Sequence, residues 1–182
     1  MGDTLMDFSK PRGPHSNNVI SSIRINCAKN PEMPALVCED RTLSWSEMWD
    51  RTTRLGNGLV DLGLVKGDRL AIYLKNSLEF SETFVATYHS GIIKTPVNSG
   101  FKAAELAYQL NDSGAKAIVT STELLDILLA TRAGVPSLEH IIVTGDAPVE
   151  GCISYEELIK DSSPQNRGSE VSPSDIDMIL YT

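Results

Sequence analysis

Apolar residues along this chain recur in two alternating rhythms. Near helical spacing comes first, with Val19, Ile20, Ile23 and Cys27 in "VISSIRINCAKN" predicting a short amphipathic helix. "PALVCEDRTLSW" predicts a hairpin, with Ala35 to Cys38 as one strand, Glu39-Asp40-Arg41 as the turn, and Thr42 and Leu43 returning. Ser44-Trp45-Ser46-Glu47 has the form of a capping box, in which the hydroxyl accepts from the amide three residues on and Glu47 reaches back. The helix it opens is expected to run to about Leu62, with Met48, Leu55, Leu59 and Leu62 on one stripe and Gly63 as its stop.

Beyond a turn at Lys66-Gly67-Asp68, helix and strand alternate. Strands are predicted at Arg69 to Leu74, in "IIKTPVN" (stopped by Pro96), in "AKAIVTS" and in "EHIIVTG". Between them lie helices in "SLEFSETFVATYHSG", in "FKAAELAYQLNDSG" with Leu106 and Leu110 facing inward, and in "TELLDILLATRAG". Ser154-Tyr155-Glu156-Glu157 repeats the capping-box pattern before one more short helix. Residues 161–174 form a Ser/Pro/Gly/Asn linker, and "SPSDIDMILYT" predicts a last, mostly apolar strand from Ile176 to Tyr181. The alternation predicts an α/β fold, a layered and mostly parallel sheet with flanking helices over residues 19–182. Residues 1–18, polar and carrying Pro11, Gly13 and Pro14, read as a loose leader.

Composition narrows the class. The 182 residues are 41% hydrophobic, enough for a packed core, and carry a formal net charge of −8. That balance argues against a nucleic-acid surface or a polybasic membrane contact, both of which need clustered Lys and Arg. No window approaches the roughly 18 apolar residues that span a bilayer, and the N-terminus lacks a secretory h-region. Gly2 is followed at position 6 by Met6, not by the Ser or Thr of a myristoylation site. Cys27, Cys38 and Cys152 are scattered and odd in number, as expected for reduced thiols in a cytoplasmic protein. Asn111-Asp112-Ser113 matches a glycosylation sequon, most simply by chance.

Motif chemistry is sparse. Gly56 and Gly58 begin a G-x-G, but Asp61 stands where a dinucleotide fingerprint needs its third Gly, and the stretch lies within a helix; close helix packing or mild helix weakening is the expected role. Binding of NAD by the chain would be needed to revive that nucleotide-binding reading. His15, His89 and His140 lack partners at ligand spacing, and His89 near a helix end is placed to favour its negative pole. Glu79 with Glu82, and Glu156 with Glu157, are read as carboxylates favoured near helix starts, since an acid/base pair must face across a cleft. There is neither a G-x-S-x-G elbow nor a G-x-x-x-x-G-K-[ST] loop. From spacing alone, the chain is an α/β scaffold without a complete active site.

Three stretches, taken in order, resemble the adenylate-forming (AMP-binding) ligases, the family of acyl-CoA synthetases, luciferases and peptide-synthetase adenylation domains. Leu43, Ser44, Trp45, Glu47, Met48, Gly63, Gly67, Asp68 and Ala71 are similar to its opening motif, with Trp45 for the usual Tyr. Gly91, Pro96, Asn98, Glu105 and Leu106 are similar to its second, with Ile92 for the usual Ala. "SPSDIDMILYT" resembles the strand that leads into the family's phosphate loop. The resemblance implies that Thr182 is the first residue of that loop, whose small residues let backbone amides approach the phosphates of ATP. It also implies the N-terminal part of an acyl-CoA synthetase, whose parent enzyme uses ATP, Mg2+ and CoA to convert a carboxylic acid to an acyl-adenylate and then to a thioester.

The chain is expected to stop immediately before the loop, without the remainder of the domain, and therefore to be inactive alone and to bind none of these cofactors tightly. No catalytic or metal-ligating residue is expected within it, and a homo-oligomer is left open. "PVN" at residues 96–98 looks more like acyl-CoA synthetases than peptide-synthetase domains. The alternative is a non-catalytic interaction module on the same scaffold, favoured by a stop codon after codon 182 in every transcript.

Overall fold

The computed structural model describes residues 19–145, 149–167, 171–172 and 174–182. The expected leader, residues 1–18, lies outside them, as does His15. The helix α1 (Val19–Lys29) leads into a hairpin of β1 (Pro34–Cys38) and β2 (Arg41–Ser44), closed by Glu39 at a φ of 55°. Arg41, expected in the turn, pairs with Cys38 and belongs to the returning strand.

The long helix α2 (Trp45–Asp61) starts where the capping box places it. The Ser44 hydroxyl accepts from the Glu47 amide, and the Glu47 carboxylate accepts from the Ser44 N–H at 2.8 Å. Then come β3 (Arg69–Tyr73), α3 (Leu78–Ser90), β4 (Ile93–Pro96), α4 (Ala103–Ser113), β5 (Ala117–Ser121), α5 (Thr122–Arg132), β6 (His140–Thr144), β7 (Ile153–Ser154) and α6 (Tyr155–Asp161). The two-residue β7 was not foreseen, since two residues are too few to display an alternation.

Five parallel strands form one sheet in the order β4-β3-β5-β6-β7. Alternate residues build two cores. Ala71, Tyr73, Ile118, Ile141 and Val143 face α4 and α5, whereas Leu70, Ile72, Ala117, Val119 and Ile142 face α2, α3 and α6. Both faces are covered, which is why the strands read as unbroken apolar runs.

Gly56 and Gly58 let the second layer close. A Cβ on Gly56 would stand 3.0 Å from the Ala86 carbonyl oxygen on α3, and one on Gly58 would stand 2.7 Å from Ser162 Oγ just past α6. Of the two roles expected of this pair, close packing and mild helix weakening, these approaches show the first. Residues of the expected linker are tied down on α2. The Asn57 side-chain amide donates to the carbonyls of Ser163 and Gln165, each at 2.7 Å, and Arg167 pairs with Asp61 at 2.5 Å.

The predicted last strand is corrected. Among the described residues of 174–182 only Met178 bridges β4, opposite Lys94 and parallel to it. The Lys94 N–H donates to the Asp177 carbonyl at 3.1 Å, and the Ile179 N–H to the Lys94 carbonyl at 3.0 Å. The next β4 residue facing that way is Pro96, which has no N–H to give, and its carbonyl accepts from the Gln109 side chain at 2.8 Å. A ladder cannot continue past such a residue.

Candidate functional site

Strand order fixes where a site can form. From β3 the chain turns to β4 on one side, then crosses back to β5 on the other, so a crevice opens at the carboxyl ends of β3 and β5. Ligands of open α/β sheets bind at that end. Here the Lys75–Glu123 ion pair spans the crevice, joining the residues just after β3 and β5.

Residues 174–182 reach the same end of the sheet, because they run parallel to β4 along its outer edge. Side-chain contacts add to the two backbone bonds at Lys94 in holding them. Asp175 pairs with Lys66 at 2.6 Å, Asp177 accepts from Lys94 Nζ at 3.1 Å, and the Tyr181 hydroxyl donates to Asp112 at 2.7 Å. Side chains of an extended segment alternate in direction, so Ile176, Met178 and Leu180 point away from the body and are exposed.

Thr182 thereby lines a largely apolar cavity of about 410 Å³ with Phe101, Glu105, Tyr108 and Tyr181. The walls come from the stretch that carries the second motif. Asn98 Oδ1 accepts from the Gly100 N–H at 2.9 Å and shapes the turn after β4. The buried Tyr73 donates to the Phe101 carbonyl at 2.8 Å, and Glu105 accepts from the Lys102 N–H at 2.8 Å at the start of α4. Thr182, nearly eighty positions away in sequence, is thus brought to the corner that holds Pro96, Asn98 and Glu105. The first motif is placed elsewhere, at the start of α2 and in the α2–β3 turn. There Asp68 accepts from the Val65 N–H and from Lys116 Nζ, both at 2.9 Å. Burial opposes its ionisation, but these donors outweigh it and hold its carboxyl below the ordinary range.

A second, polar cleft of about 740 Å³ lies at the carboxyl ends of β5 and β6, lined in part by Ser121, Thr122, Thr144 and Gly145. Its cations are already matched. The Arg51 fork contacts Glu82 and also donates to both Glu156 oxygens at 2.8 and 2.9 Å; Arg41 pairs with Glu79 at 2.7 Å. Glu82 also accepts from the Tyr155 hydroxyl at 3.2 Å.

The Glu156 bonds raise the Arg51 guanidinium above its usual value, and those to Glu82 add to this. Glu82 is raised too, because full burial strips its hydration and Arg51 only partly compensates. Arg51 keeps some contact with water and Glu82 none. The helix-start reading holds for Glu79 in the first turn of α3 and is corrected for Glu82, which clamps α3 to α2 and α6. Sequence spacing carried no sign of this, as Arg51 is 31 positions away.

His89 is also corrected. Buried between α2 and α3, its Nε2 stands 3.2 Å from the Thr52 hydroxyl, and its ring meets Trp49 edge-on at 4.9 Å. Burial lowers its pKa from 6.5 to about 4, so near neutrality it carries no charge for the helix pole. His140 begins β6. The cysteines are free. Among the described residues no three His, Cys, Asp or Glu side chains converge in a metal-binding group, and no helix is long and apolar enough to cross a membrane.

Sequence reading also missed the Lys94 site. The Lys94 ammonium is buried over the rings of Tyr88 and Phe84 on α3, at 3.6 and 4.5 Å from their centroids. A lone cation inside the apolar run "IIKTP" was the available signal.

Residues 23–182 match the family model described as AMP-binding enzyme. A medium/long-chain-fatty-acid–CoA/3-oxocholest-4-en-26-oate–CoA ligase of Mycobacterium marinum is 29% identical over 161 residues, covering 84% of this chain and 29% of that protein. An acetyl-coenzyme A synthetase of Methanothrix thermoacetophila is 32% identical over 161 residues, covering 80% of this chain and 24% of its own length. The crystal structure of the anthranilate CoA ligase AuaEII with anthranoyl-AMP superposes with a TM-score of 0.88 at 25% identity, covering 93% of this chain and 33% of that one. The N-terminal domain of FACL13 from Mycobacterium tuberculosis gives 0.79 at 25% identity, covering 88% and 40%. The chain therefore spans less than a third of the length of these curated relatives.

Proposed function

The chain belongs to the AMP-binding enzyme family, and from that premise we propose that it is the N-terminal portion of an ATP-dependent acyl-CoA synthetase. The reaction is acid activation. A carboxylate repels a thiol and has a poor leaving group; its attack on the α-phosphorus of ATP expels pyrophosphate and gives an acyl-adenylate, whose AMP leaves as the CoA thiol, giving up its proton, attacks the carbonyl carbon. The observation that carries this reading is the path of residues 174–182. They run parallel to β4 and deliver Tyr181 and Thr182 to the carboxyl end of the sheet, beside the motif turn at Asn98. Small residues following Thr182 there would bring backbone amides to phosphate oxygens. CoA ligases among the relatives support a carboxylic acid and CoA as the other substrates.

This stretch supplies framework more than reactive groups. At the carboxyl end of the sheet Arg41, Arg51 and Lys75 are each paired with a carboxylate, which leaves their charge already balanced before any phosphate arrives. Among the described residues no three His, Cys, Asp or Glu side chains converge on one point. The 182-residue chain alone is therefore expected to be inactive and to hold ATP and CoA weakly. A cytoplasmic location fits a fold with three free cysteines.

The test is ATP–pyrophosphate exchange with a panel of carboxylic acids. A longer polypeptide carrying this chain should catalyse it with at least one acid, and the 182-residue chain with none. Exchange by the short chain would overturn the framework reading; no exchange by the longer one would overturn the ligase reading.

A further inference from the structure

Lys94 is a buried cation in the middle of an edge strand, a place where charge is costly unless fully matched. The matching is threefold. Tyr88 and Phe84 present their ring faces at 3.6 and 4.5 Å, and Asp177 Oδ2 lies at 3.1 Å from Nζ. Ring faces attract a desolvated ammonium. The same residue provides both backbone bonds to the C-terminal segment, through its N–H to Asp177 and its carbonyl from Ile179. Pro96 can add no further donor.

Register is the consequence. A slip of one residue would set Met178 or Ile176 against the buried ammonium and turn Asp177 to the far side of the segment. A slip of two toward the N-terminus would place Asp175 there but break its 2.6 Å pair with Lys66. Charge matching at a single strand position thus selects one alignment, where an apolar contact would tolerate several.

We propose that Lys94 is a positioning residue for adenylation: by gripping Asp177 it fixes the alignment in which Tyr181 and Thr182 leave the sheet edge, and so the placement of the phosphate-binding turn that Thr182 opens. The role rests on the ligase reading above. Lys94 does not line the cavity at Thr182; it acts through the segment.

Lys94→Met, Lys94→Arg and Asp177→Asn, made in the longer ligase polypeptide, test it. Amide hydrogen exchange reads the alignment at Ile179, and ATP–pyrophosphate exchange separates KM for ATP from KM for the acid. Lys94→Met is expected to speed exchange at Ile179 about tenfold and raise KM for ATP about fivefold, with KM for the acid unchanged. Lys94→Arg should recover part of both losses. Unchanged Ile179 exchange, or an equal rise in both KM values, would overturn the positioning role. Should Lys94→Met not fold, Asp177→Asn, altered at a half-exposed carboxylate, carries the same comparison. A wild type inactive with every acid would overturn the ligase reading and the adenylation role together, and is seen before any variant is made.

Discussion

His89 Nε2 and the Thr52 hydroxyl stand 3.2 Å apart inside the contact of α3 with α2, in a place that water does not reach. Burial of the imidazole makes the fold sensitive to acid. The folded-state pKa of His89 is pushed down to about 4 from 6.5, so protons bind the unfolded chain more readily. Its contribution is complete above pH 6.5 and is lost as the pH falls from 6.5 toward 4, amounting to roughly 3 kcal/mol at the acid end. Denaturant unfolding at pH 7, 5.5 and 4.5 checks this. His89→Gln should show a shallower loss over that range than wild type, and parallel curves would refute it.

Arg51 and Glu82 give a second expectation, on stability. Removing Arg51 as Arg51→Met leaves the Glu82 carboxylate buried without its fork and should cost about 3–5 kcal/mol. Glu156→Ala removes only the half-exposed partner and should cost about 1 kcal/mol or less. The order of the two midpoints in urea is the measurement.

Gly56 and Gly58 separate helix propensity from packing. Ala is favoured over Gly inside a helix by about 1 kcal/mol. At Gly56 the added Cβ meets the Ala86 backbone and His89 Cβ, neither of which can swing aside, so Gly56→Ala should destabilise by about 1–3 kcal/mol. At Gly58 the contacts are closer, at 2.7 to 2.9 Å, but the atoms met belong to the side chains of Ser162 and Leu158, which can turn where backbone cannot. Gly58→Ala should be the milder of the two in thermal unfolding.

Ile176, Met178 and Leu180 form an apolar row on the outward side of an extended segment, and Ile176 and Leu180 are 67% and 63% exposed. Such a row on a sheet edge favours self-association. The 182-residue chain is expected to sediment with concentration-dependent mass, and Ile176→Thr with Leu180→Lys to return it toward monomer at unchanged melting temperature. A wild type that stays monomeric at every concentration would count against this.

Much of the fold was legible because local chemistry determined it. The Ser44–Glu47 box formed where its letters stood, and Gly91 and Gly114 end α3 and α4 in the left-handed conformation that other residues resist. The candidate site was legible only through the motif letters. Thr182 is separated from Asn98 and Glu105 by whole elements, and periodicity says nothing of which loops meet. Glu82 and His89 were misread for the same reason. Their roles depend on Arg51 and Thr52, which a helix crossing brings near, and a residue's charge state follows from that desolvation.

By itself, then, the sequence determined the element order, the helix caps, the apolar runs of a two-sided sheet and the family motifs, since each depends on neighbours within a few positions. Only the tertiary structure decided that the last segment is a single bridge and not a strand, that Lys94 is buried against Asp177, and that Arg51 is matched by two carboxylates. Those outcomes turn on contacts across tens of residues, where the competition between hydration and pairing is settled by which surfaces exclude water.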